Sequence, residues 1–146
     1  MGDWRDNLLV DEARIAELVR SAKRVAVLGI RPEKNADRPA FYVPAALASA
    51  GVAIFPVPVR PPGSETILGM PVYASVAAVP PPVDIVDVFR RSEDVPAHLA
   101  DLLAARPRSV WFQSGIRNDE VAEALARHGI RVVQDRCLMV DHRRWA

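Results

Sequence analysis

The sequence predicts an α/β fold, a doubly wound and mainly parallel sheet with helices on both faces. Three observations predict it. Short apolar runs rich in valine recur at 24–29, 52–57, 83–89, 109–113 and 130–133, the pattern of strands buried on both faces. Segments of helical spacing separate these runs, and parallel neighbours require such crossovers. The 146 residues, half hydrophobic and a quarter charged, suffice for one core, so the chain 1–146 reads as a single domain.

Each element follows from local chemistry. Residues 8–22 place Leu8, Ile15, Leu18 and Val19 among charged residues at helical spacing, with Asp11 or a neighbour as cap, so an amphipathic helix leads into a core at about 23–142. The strand 24–29 ends in Gly29, and the polar stretch 30–38 with Pro32 is a loop. A helix runs from Pro39, which suits a first turn, to Ala50, with Gly51 as terminator. Pro44 either bends that helix or sits in its first turn. The strand 52–57 gives way to a proline-rich stretch, 56–62, unfit to continue a central strand. Between 63 and 79 lies a short extended piece around Val72 and Tyr73, with room for one helical turn. Then come a strand at 83–89, a helix at 96–105, a strand at 109–113, a helix at 118–128 capped by Asn118 and closed by Gly129, and a last strand at 130–133. Right-handed crossovers wind such a series into a Rossmann-like sheet.

Composition excludes several function classes. A formal net charge of +1 argues against a general nucleic-acid or membrane-surface binder. No apolar run is long enough to span a bilayer, and 1–7 lack the basic start of a signal peptide. Cys137 is the only cysteine, which rules out an internal disulfide and a cysteine-based zinc cluster and suits a reducing cytoplasm. Of nineteen basic residues only Lys23 and Lys34 are lysines. The arginine bias fits an anionic ligand, but a compositional bias of the genome is the simpler explanation.

Ligands of doubly wound sheets gather at the carboxyl ends of the strands, where strand order reverses. That rule selects residues 29–38, 58–60, 89–91 and 113–118. Gly29 permits a sharp turn or a close backbone approach, and the helix behind it aims free N–H groups at the same place. Arg31 and Arg38 add charge-assisted hydrogen bonds to phosphate. The dinucleotide fingerprint G-x-G-x-x-G is absent, because Arg31 stands at its second glycine. Phe89 either lines an adenine pocket or plugs the core, and Arg90 and Arg91 beside it either meet phosphate or face solvent. None of the three histidines adjoins a catalytic partner, and solvated or capping roles suit them. Asp84 and Asp87 project to opposite faces of their strand and form no acid–base pair. No catalytic constellation and no metal site is found.

These segments resemble the stand-alone bacterial and archaeal CoA-binding proteins of the YccU type, relatives of the N-terminal domain of succinyl-CoA synthetase alpha subunits. The resemblance runs from about Lys23 to His142. It rests on Val25-Ala-Val-Leu-Gly29, Arg38-Pro39, Pro56-Val57, Ile67-Leu-Gly69, Val72-Tyr73-Ala-Ser75, Val83-Asp-Ile-Val-Asp-Val-Phe-Arg-Arg91, Trp111-Phe-Gln-Ser-Gly-Ile-Arg-Asn118 and Asp135-Arg-Cys137 in that order. It implies a small-molecule ligand, coenzyme A, held by its nucleotide end. By position, Gly29 and Ile30 would meet the pyrophosphate with help from Arg38. Pro58, Val59 and Arg60 would border the nucleotide; Phe89 and Arg90 would flank the adenosine, with Arg91 as a further phosphate contact. Gln113, Gly115 and Asn118 would line the pocket beyond. Two departures stand out: Arg31 replaces a serine common among relatives, and Pro58 replaces an asparagine. The synthetases' phosphorylated histidine lies on a domain absent from this sequence, so no catalysis is implied. The leading expectation is a non-catalytic, cytoplasmic binder of CoA or acyl-CoA. The alternatives are a small enzyme dependent on a nucleotide cofactor and a CoA-sensing interaction subunit. Cys137 also raises the expectation of a mixed disulfide with the CoA thiol, which needs an accessible thiolate.

Overall fold

The computed structural model describes residues 2–61, 63 and 65–146; Pro62 and Ser64, within the proline-rich stretch and the segment after it, lie outside the described residues, as does Met1. Among the described residues there are seven strands: β1 (Arg24–Leu28), β2 (Ala53–Val57), β3 (Thr66–Ile67), β4 (Met70–Pro71), β5 (Ile85–Val88), β6 (Ser109–Phe112) and β7 (Arg131–Val133). Five α-helices accompany them: α1 (Glu12–Ser21), α2 (Pro39–Ser49), α3 (Leu99–Ala105), α4 (Asp119–Arg127) and α5 (Leu138–Trp145). The main sheet runs β2-β1-β5-β6-β7, and every pairing in it is parallel. Strand order therefore reverses between β1 and β5, as expected of a doubly wound α/β fold.

Side-chain alternation divides the core into two layers. Val25, Val27, Ile54, Ile85 and Trp111 pack with α1, α2 and α5, and Ala26, Leu28, Val86, Val88 and Phe112 pack with α3 and α4. The predicted strands thus carry apolar residues at consecutive positions because both faces are covered.

Four local differences from the sequence expectation have physical causes. The first helix begins at Glu12, because Leu8 bridges Val132 and the Leu9 N–H donates to the Val132 carbonyl at 2.8 Å. Asp11 then caps α1 by accepting from the Ala13 N–H at 2.8 Å. The segment after β2 forms the hairpin β3–β4, whose two turn residues, Leu68 and Gly69, both have positive φ, as a tight two-residue hairpin turn requires. The helix predicted from Pro96 starts at Leu99, behind a 3-10 turn over Ser92–His98. Nothing after Val133 is predicted by pattern, yet α5 forms there. Its Leu138 is buried, its Trp145 packs against the same core layer, and the helix lies against α1.

Candidate functional site

The turn from β1 into α2 is held by its backbone. Gly29 has φ +87°, and a β-carbon there would collide with the Phe89 carbonyl oxygen. Its N–H donates to the Val57 carbonyl at 2.9 Å, so it ties β1 to β2 while lying against β5. Arg31 N–H donates to the Ala40 carbonyl at 3.1 Å. That carbonyl is free because Pro44, four residues on, has no N–H to give it. The internal proline thereby fastens the loop to the helix. Between these two anchors, the Ile30 N–H has no partner among the described residues. Glu33 accepts from the Leu68 N–H at 2.8 Å and ties the loop to the β3–β4 hairpin. Helix α2 opens with Pro39 and has no side-chain cap. The Phe41 and Tyr42 N–H groups donate to the Arg38 carbonyl, so the Ala40 N–H is its one first-turn donor without a partner among the described residues, at the positive end of the dipole.

A cleft of about 1320 Å³ opens at this edge. It gathers Gly29, Ile30, Arg31, Arg38, Val59, Arg60, Phe89, Arg90, Arg91, Gln113 and Gly115. Eleven of the thirteen residues singled out from sequence therefore meet there. Six cations line it (Arg31, Lys34, Arg38, Arg60, Arg90, Arg91) against one carboxylate, Glu93. Among the described residues, Arg31, Lys34, Arg38 and Arg60 have no ion-pair partner, whereas Arg91 is spent on Asp94 at 2.9 Å and is largely exposed.

Arg90 is oriented by a residue the sequence assigned to solvation. Its Nε donates to Nε2 of half-buried His98 at 3.1 Å. Burial, and then the adjacent Arg90 charge, hold the His98 ring below its ordinary pKa of 6.5, so the ring stays neutral and can accept. The 3-10 turn makes this pairing possible by folding His98 back over its own strand end. An unfolded chain takes up a proton near pH 6.5 and the folded one only at lower pH. This contribution is complete above pH 6.5 and is lost as pH falls through the folded value. In thermal unfolding between pH 7.5 and 5.5, His98→Gln, which keeps an acceptor near the same place, is expected to lose less stability on acidification than the parent.

The far side of the cleft is more committed internally. Gln113 is buried and accepts from the Leu138 N–H at 2.9 Å, which starts α5 at the cleft wall. The Gly115 N–H donates to the Asp135 carboxylate at 2.6 Å, so it is not open to a ligand. Two expected site residues are corrected. Asn118 does not line the cleft: its side chain caps α4 by accepting from Val121 N–H at 3.0 Å, and its amide donates to the carbonyl of Ser92, which does line it, at 3.3 Å. Pro58 is absent from the lining, where Val59, Arg60 and Pro61 represent its segment.

Comparison with known proteins decides the family. The profile described as CoA binding domain matches residues 23–143. This chain belongs to the CoA-binding domain family. The uncharacterized protein YneT of Bacillus subtilis (strain 168) is 34% identical over 131 residues, covering 90% of this chain and 93% of YneT. A solved structure from Thermus thermophilus superposes with a TM-score of 0.85 at 40% identity, covering 94% of this chain and all (100%) of that one. A hypothetical protein from Pyrococcus horikoshii OT3 superposes with a TM-score of 0.81 at 27% identity, covering 93% and 92% of the two chains.

The matched span of the CoA-binding domain contains every residue of the cleft. It also contains lining residues that sequence reasoning missed: Tyr42 and Val43 on α2, and Met139 and Val140 on α5. Cys137, the thiol that the sequence set against the CoA thiol, lines the cleft from the cap of α5. No helix of the CoA-binding domain, among the described residues, is long and apolar enough to cross a membrane.

Proposed function

We propose that the chain binds coenzyme A or an acyl-CoA in this cleft through the nucleotide and pyrophosphate portion, performs no chemistry on it, and works in the cytoplasm. The observation that carries the reading is the set of cations without carboxylate partners at the edge where strand order reverses. Buried or clefted charges are normally compensated, so an uncompensated basic cluster suits a polyanion. The Ile30 and Ala40 amides offer N–H groups to a pyrophosphate, with Arg31 and Arg38 beside them. Arg60 and Arg90 suit a further phosphate. The absence of catalysis is supported by how the acid–base candidates are used. His98 is engaged with Arg90, and His128, at the C-terminal cap of α4, has its ring nitrogen 2.8 Å from the Ala124 carbonyl. Arg31 at the second glycine position of the fingerprint weighs against a dinucleotide.

Calorimetric titration of CoA into ligand-free protein tests the reading. Saturable heat is expected, with affinity falling as salt rises. Each of Arg31→Ala, Arg38→Ala and Arg60→Ala is expected to weaken binding about tenfold, the worth of one charged hydrogen bond. No heat above buffer with folded protein rejects the proposal, and displacement of CoA by NADPH at equal concentration favours the enzyme alternative.

A further inference from the structure

The cleft has two chemically different ends. At one end Arg60, Arg90 and Arg91 border a recess of about 490 Å³ together with Val59 and Asp94. At the other, α2 and α5 pack against each other, and both start at the carboxyl edge of the sheet. Their first turns therefore reach the cleft together. Helix α5 and its cap contribute only Cys137, Met139 and Val140, and α2 adds Tyr42 and Val43.

The exposure of these side chains is unevenly distributed. Four large hydrophobic residues are exposed among the described ones; Tyr42 at 43% and Val140 at 56% stand at this rim, and Val59 at 39% borders the arginine recess. Single exposed hydrophobes are ordinary, but their concentration in one concave site marks surface that a ligand covers with gain. The charge pattern says which part of the ligand does so. CoA carries its phosphates at one terminus and its thiol at the other, so phosphates bound among the arginines leave the thiol end for the apolar rim.

Resting on the reading that this cleft holds the nucleotide half of CoA, we infer that the rim between α2 and α5 receives an uncharged acyl chain. The ligand is then the thioester of an apolar monocarboxylic acid, in preference to free CoA or a dicarboxylic thioester. Burying part of each methylene strengthens binding, while a terminal carboxylate would have to give up its hydration against Tyr42, Val43, Met139 and Val140.

Titration of the whole chain with CoA, butyryl-CoA, hexanoyl-CoA and succinyl-CoA tests this. Hexanoyl-CoA is expected to bind about tenfold tighter than CoA, butyryl-CoA between them, and succinyl-CoA no tighter than CoA. In Val140→Asp the new carboxylate occupies an exposed position in the first turn of α5, where an acidic residue is compatible with the helix. It is expected to bring the hexanoyl-to-CoA affinity ratio down to about one, with unchanged circular dichroism. If CoA binds and hexanoyl-CoA binds no better, or if Val140→Asp keeps the preference, the inference falls while the CoA reading stands. If none of the four binds, both fall.

Discussion

Gly29→Ala is expected to lower the unfolding free energy by about 3 kcal/mol, from about 1–2 for a left-handed backbone and a similar amount for overpacking. For a domain of this size that is a fall of about 10 °C in Tm. The cause is double. Gly29 has φ +87°, and its missing β-carbon is replaced in space by the Phe89 carbonyl. Relief would require β5 to move away from β1 at the point where Phe89 N–H donates to the Leu28 carbonyl at 2.8 Å. Gly115→Ala is the internal control. Its φ is +83° but an added β-carbon there meets nothing within 4 Å, so it should cost only the backbone part, about 1 kcal/mol. Urea unfolding of the three proteins checks the difference. Equal losses for the two variants would mean that the close approach to Phe89 carries no energy. Because the same turn presents the Ile30 amide, Gly29→Ala is also expected to weaken CoA binding beyond detection.

The second large effect concerns Asp87. Its side chain is fully buried between Val27 and Trp111 of the neighbouring strands, and neither carboxyl oxygen has a hydrogen-bond partner. Burial alone raises its pKa well above the ordinary 3.8. The folded chain therefore keeps a proton that the unfolded chain releases near pH 3.8. Stability is fullest below that pH and declines as pH rises toward the folded value. Asp87→Asn, of the same shape, is expected to be more stable than the parent at pH 7.5 and to lack this decline. Asp87→Val removes the polar group altogether and is expected to gain about 2 kcal/mol at pH 7.5, the cost of burying a polar group unpaired. Chemical denaturation at pH 5 and 7.5 measures both. A loss of stability in Asp87→Val at pH 7.5 would show that the carboxyl group has a favourable partner in solution. The His98 contribution runs in the opposite direction with pH, so each variant is compared with its parent at the same pH.

Much of the architecture was legible locally. Consecutive apolar residues at 25–28 and 85–86 report burial on both faces of a strand, whatever the strand's neighbours. Asn118 and Gly129 bound α4 by capping rules that operate within a few residues. Gly29 was legible as a turn, and the arginines at 31, 38, 60 and 90 as charges at strand ends. Helix α5 was less so: eight residues ending in His-Arg-Arg-Trp carry too few periods to reveal an apolar face.

Local patterns also set two residues apart without saying how each would be used. Asn118 could have faced a ligand or capped a helix with the same amide, and the cap took it. His98 could have been solvated, but the 3-10 turn brought it to Arg90. The sequence by itself determined the class of fold, the two-faced strands and the basic character of one sheet edge, because period, capping and charge act over a few residues. The tertiary structure alone decided the order β2-β1-β5-β6-β7, the Phe89 carbonyl against Gly29, the unpaired burial of Asp87 and the meeting of α2 with α5 at the rim. Those depend on which distant segments become neighbours, and that is settled by packing the whole core at once.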